Sequence, residues 1–90
     1  MMHVTNNAKK ELKKLLRSST TDTTIGLRLA LKQLGQFGLV LGKKTKSDQA
    51  VKYSRAKVLI VSQNLDPLLE GITLDVDYTN GKREFVIIKR

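Results

Sequence analysis

No cysteine occurs in the ninety residues. That absence removes disulfides, thiolate nucleophiles, and zinc or iron–sulfur ligation through sulfur. Tryptophan is also missing, proline appears once as Pro67, and the aromatic residues are two Phe and two Tyr. The core must therefore be mainly aliphatic. The single histidine, His3, lies near the start of the chain. One terminal imidazole makes a poor general base, and a metal site would have to be built from carboxylates. Asp66, Glu70, Asp75, Asp77 and Glu84 are scattered rather than set at ligand spacing, so no metal is expected. No apolar run reaches the length of a membrane span. Met1-Met2-His3-Val4 lacks the apolar stretch of a secretory signal. The expectation is a cytoplasmic protein with no membrane contact.

What is present is a basic chain of single-domain size, residues 1–90, with a formal net charge of +9. The charge is uneven. Residues 1–24 carry a net +3, residues 25–57 carry eight basic side chains against one acidic, and residues 58–90 carry a net −1. A central third this basic points to an anionic partner. The plainer reading is a solvated surface that aids solubility. The candidate anion-binding residues are Lys43, Lys44, Lys46, Lys52, Arg55 and Lys57, all in loops or at strand starts. Contacts from such positions to phosphates are salt-dependent and largely blind to base sequence. Only Phe37 and Tyr53 stand nearby as stacking platforms. Electrostatic contact with nucleic acid or another polyanion is thus expected ahead of base readout.

Hydropathy orders the elements. Thr5, Asn6 and Asn7 are competent N-caps, and Ala8, Leu12, Leu15 and Leu16 then recur on one helical face. Lys9, Lys10, Lys13, Lys14 and Arg17 fill the wet side. After a polar loop at 18–23 the period becomes two, with Ile25, Leu27, Leu29 and Leu31 on one face of a strand. A turn around Gly35 leads to a second apolar strand at 37–41, and Ala50 to Tyr53 reads as a short strand. Val58-Leu59-Ile60-Val61 is continuously apolar, as in a strand covered on both faces. Pro67 suits a first helical position and Gly71 a helical stop. Ile72, Leu74, Val76 and Tyr78 alternate with polar residues. Asn80-Gly81 then marks a hairpin turn back into the strand at 83–89. The class is α+β, mainly β, with an N-terminal helix packed on a small, mostly antiparallel sandwich-like fold.

No catalytic constellation emerges, so an enzyme is not expected. Gly35-x-x-Gly38-x-x-x-Gly42 has no Gly-Lys-Ser/Thr and no helix after it, and reads as turns and a bulge. Ser62, Asp66 and His3 do not have the spacing of a triad. Asp75 and Asp77 share a strand face and could pair as acid and base. The ordinary reading is the solvent side of an amphipathic strand, neutralised across the hairpin by Lys82 or Arg83.

The order and residues resemble the A-type iron–sulfur carrier family, also called HesB-like or IscA-like. Val4-Thr5-Asn6-Asn7-Ala8 is similar to the family's Leu-Thr-x-x-Ala helix start. Gly26-Leu27-Arg28-Leu29-Ala30-Leu31 resembles its Gly-Leu-Arg-Val-x-Val strand. Val58-Leu59-Ile60-Val61 followed by Leu68-Leu69-Glu70-Gly71-Ile72-Thr73-Leu74-Asp75 looks like its Val-Asp-x-x-Ser-Leu-x-x-Leu-Asp-Gly-x-x-Ile-Asp stretch. The departures fall on the ligands. Where the family has Gly-Gly-Cys-Ser-Gly, this chain has Leu34-Gly35-Gln36-Phe37-Gly38, with Gln36 at the first Cys position. Glu84-Phe85-Val86-Ile87 stands at the family's Gly-Phe-x-Phe strand, and Arg90 precedes the place of its Cys-Gly-Cys tail. The resemblance implies a Cys-less degenerate member: a non-enzymatic domain without cofactor, acting as a scaffold or protein-interaction module. The partner would be an unidentified protein, and the chain a monomer or weak homodimer. A shorter likeness, Gly42-Lys43-Lys44 with 56–64, is similar to a stretch of the kink-turn RNA-binding ribosomal proteins. The further helix and longer C-terminal half of that family are missing.

Overall fold

A computed structural model describes residues 2–33 and 36–89. The elements run β1 (His3–Val4), α1 (Asn6–Ser19), β2 (Ile25–Gln33), β3 (Gln36–Lys43), β4 (Gln49–Tyr53) and β5 (Ala56–Val61). A 3-10 helix (Gln63–Leu69), β6 (Ile72–Thr79) and β7 (Lys82–Lys89) follow. They form two sheets, one of order β3-β2-β5-β4 and one of order β1-β6-β7. The three hairpins β2–β3, β4–β5 and β6–β7 are antiparallel, as short connections require. The two pairings between distant segments, β2 with β5 and β1 with β6, are parallel.

Helix α1 begins at Thr5, whose hydroxyl accepts from the Ala8 N–H at 3.1 Å. Ala8 and Leu12 are fully buried and Leu16 packs at the edge of the core, whereas Leu15 rolls out to 38% exposure. The helix packs on β4, β5 and β6. This explains the continuous apolar run: β5 lies between β2 and β4 and beneath α1, so Val58, Leu59, Ile60 and Val61 are all buried. The core is aliphatic, as the composition demands.

Asn80 (φ 53°) and Gly81 (φ 76°) form the expected positive-φ turn, and Gly71 (φ 74°) ends the 3-10 helix. Pro67 sits inside that 3-10 helix rather than at its first position. The turn joining β4 to β5 also has two positive-φ residues, Ser54 (φ 50°) and Arg55 (φ 69°), and neither is glycine. The expected turn around Gly35 falls on Leu34 and Gly35, outside the described residues, as are Met1 and Arg90. Gln33 and Gln36 pair across that hairpin end.

Candidate functional site: a basic cleft

The loop between β3 and β4 is pinned by a half-buried ion pair. Arg28, on β2, donates from Nη1 to Asp48 Oδ2 at 2.5 Å and from Nη2 to Asp48 Oδ1 at 3.2 Å. Nη1 also donates to the Lys43 carbonyl at 2.9 Å. The Thr45 N–H donates to Asp48 Oδ2 at 2.8 Å. Asp48 is only 7% exposed. The forked guanidinium bonds, helped by the Thr45 amide, hold its carboxyl well below the usual range. Gly42 makes this possible, because a Cβ there would lie 2.6 Å from Arg28 Cδ. The glycine read from sequence as a turn or bulge signal is therefore clearance for an arginine. Arg28 and Asp48 were not among the sequence candidates.

Beside this loop lies an open cleft of about 850 Å³. Its walls are the end of α1, residues 20–24, the start of β2, the end of β3 and the β4–β5 turn. Four of the six sequence candidates line it: Lys43, Lys44, Arg55 and Lys57. Lys46 and Lys52 do not; Lys46 lies exposed in the 44–48 loop, and Lys52 is exposed on β4 opposite Lys57. Arg17 joins the rim from the last turn of α1, where sequence reasoning gave it only a solvated role. Its position beside the polar loop was the signal available. The floor includes half-buried Leu16, Ile25 and Ala56, with Gly26 and buried Ile60 beneath.

Asp22 is the acidic residue of the lining. Its Oδ1 accepts from the Thr24 hydroxyl at 2.7 Å and from the Thr24 N–H at 2.8 Å, and these bonds lower its pKa. Among the described residues no ion pair holds Arg17, Lys43, Arg55 or Lys57. The Lys44 ammonium donates to the Thr45 carbonyl at 3.2 Å. The cleft thus gathers five cations against one carboxylate over an apolar floor.

The remaining candidates lie elsewhere. Gln36 is exposed at the start of β3, at the other end of the β2–β3 hairpin. His3 is exposed on β1. Asp75 does not pair with Asp77 as acid and base. Its Oδ1 accepts from the Thr5 hydroxyl at 2.6 Å and from the Val76 N–H at 2.8 Å, which lowers its pKa. The carboxylate thereby ties the N-cap of α1 to β6. Asp77 accepts from the Thr79 hydroxyl at 3.1 Å and stands opposite Glu84, not a cation. Arg83, expected to neutralise that strand, reaches Glu11 of α1 at 3.3 Å instead. The described residues contain no group of three His, Cys, Asp or Glu able to hold a metal ion. No helix among them is long and apolar enough to cross a membrane.

No family model and no curated protein sequence matches the chain. Solved structures do match it. SufA from Escherichia coli, involved in biosynthesis of iron–sulfur clusters, superposes with a TM-score of 0.70 at 24% identity, over 98% of this chain and 84% of SufA. IscA with a 2Fe–2S cluster gives a TM-score of 0.59 at 15% identity, over 99% of this chain and 82% of IscA. A protein from Aquifex aeolicus, solved in solution by NMR, gives 0.60 at 20% identity, over 99% and 91%. This chain has the fold of the A-type carriers SufA and IscA. It has that fold without a cysteine. The likeness spans nearly every described element, so the shorter resemblance to the RNA-binding ribosomal proteins does not describe the fold.

Proposed function

We propose that this chain is a non-enzymatic binding domain on the carrier fold, with no iron–sulfur cluster of its own, serving as a scaffold or protein-interaction module. The observation that supports this is the donor chemistry. A cluster is held by anionic sulfur ligands. The ninety residues contain none, and Gln36 offers a neutral, exposed amide at the position the resemblance assigns to the first cysteine. The residues present do not fit the cluster. Anaerobic incubation with ferrous iron and sulfide should leave the protein colourless. A stable visible chromophore at stoichiometric iron would overturn the reading.

A second reading, polyanion or nucleic-acid binding, is favoured by the gathering of Lys43, Lys44, Arg55 and Lys57 around one cleft. Such binding should be strongest at low salt and fall steeply as salt rises. Titrating labelled RNA and DNA at low and moderate salt tests it, and no binding at low salt ends it.

A further inference from the structure

We infer that the cleft takes a small amphipathic anion, an anionic head such as a phosphate monoester on a short apolar body; this rests on the anion-binding reading and deepens it. Two chemistries meet in one concavity. Arg17, Lys43, Lys44, Arg55 and Lys57 supply the charge. The half-buried surfaces of Leu16, Ile25 and Ala56 supply an apolar floor that neither a free inorganic ion nor a nucleic-acid backbone would use. The volume, about 850 Å³, falls in the range of small-molecule clefts, roughly 300–1,000 Å³.

The arrangement disfavours a strand of nucleic acid. Such a ligand follows a basic stripe with aromatic side chains stacked on its bases. Lys46 and Lys52 would extend the patch into a stripe, yet they lie outside the cleft, and no aromatic residue lines it. The lining sets five cations against one carboxylate. The lining's acid, Asp22, spends its Oδ1 on the Thr24 hydroxyl and amide. Arg55 is held at φ 69° directly after Ser54 at φ 50°, a costly conformation for side chains with a Cβ. Backbone strain of this kind persists where the surrounding structure over-determines it, often at binding sites. Here it sets the backbone from which Arg55 reaches the cleft rim.

Hexyl phosphate is the probe, with inorganic phosphate, hexyl glucoside and oligothymidylate as comparators, read by calorimetric titration at low salt and by amide chemical shifts. Hexyl phosphate should shift the amides of 20–26 and 55–57 and bind at least about tenfold more tightly than inorganic phosphate or hexyl glucoside. Two double variants remove the same charge from exposed positions that leave the fold intact. Lys43→Ala with Lys57→Ala should weaken hexyl phosphate by about tenfold or more. Lys46→Ala with Lys52→Ala should change it by less than about twofold. Equal weakening by the two pairs overturns the site. Inorganic phosphate or hexyl glucoside binding as tightly as hexyl phosphate overturns the ligand class. Oligothymidylate binding without hexyl phosphate overturns this inference and leaves the polyanion reading standing, whereas binding of neither overturns both.

Discussion

At one end of the β2–β3 hairpin Gln33 pairs with Gln36; at the other, Ile25 pairs with Lys43. About eight residues of strand, roughly 25 Å, separate the two. The first end is where the carrier resemblance places a cysteine, and it presents an exposed neutral amide. The second end opens onto the basic cleft and is braced by the Arg28–Asp48 pair. One scaffold therefore carries an exposed neutral amide at one position and, along the same two strands, a position loaded with charge. A fold shared with SufA and IscA says nothing about which end works. Only the residues at each end do.

The comparison assumes that both ends hang from one core, and the largest predicted effect tests that. Leu59, on β5, is fully buried. Leu59→Ala should cost about 2–5 kcal/mol in urea denaturation, with both ends lost in a single transition. Separate transitions, seen by hydrogen exchange at 27–33 and at 41–48, would break the comparison.

A smaller effect should separate the ends. Asp48→Asn removes the anion that Arg28 grips and should destabilise the protein at neutral pH, with faster amide exchange confined to 43–48. The pH dependence has a definite sign. The folded-state pKa of Asp48 is depressed, so its stabilisation is fully present above the unfolded value near about pH 4. It is lost as pH falls toward the folded value. The gap between wild type and Asp48→Asn should therefore be widest near neutrality and narrow below about pH 4. A gap constant across that range would show that the carboxylate's charge contributes nothing.

Away from both ends, Thr5→Ala removes the N-cap of α1 and one partner of Asp75. A loss of about 1 kcal/mol is expected, with no change in cleft binding. A change in hexyl phosphate affinity would mean that helix position controls the cleft, through Leu16 and Arg17.

These cases also mark what the sequence made legible. Periodicity revealed α1, the buried run of β5, and the β6–β7 hairpin with its Asn80-Gly81 turn, because each is written in neighbouring residues. The parallel pairings were not legible, since a strand's own pattern does not name a distant partner. Arg28 and Asp48 lie 20 residues apart, and Thr5 and Asp75 lie 70 apart. The basic segment was visible as composition. Its division into four residues that line the cleft and two that do not depends on where the end of β3, the β3–β4 loop and the β4–β5 turn meet in space. Arg17 and residues 20–24 reach the cleft only through tertiary packing.

The smallest predicted effect concerns the two positive-φ turns. Asn80-Gly81 uses residues suited to that conformation; Ser54-Arg55 does not. Arg55→Gly relieves a left-handed cost of about 1 kcal/mol and gives part of it back through the freer unfolded chain. A net stabilisation of a few tenths of a kcal/mol is expected, together with weaker hexyl phosphate binding. Gly81→Ala, at the turn remote from the cleft, should instead destabilise by about 1 kcal/mol and leave binding unchanged. Arg55→Lys keeps a cation and the strain, and should match wild type in stability while retaining most of the affinity. If Arg55→Gly were less stable than wild type, the turn would not be strained, and the case for a cation set at the rim at the expense of stability would fall. If it were more stable and bound equally well, the strain would be real but unconnected to the cleft. Only the combination of higher stability with weaker binding ties the conformation of this turn to the charged end of the hairpin.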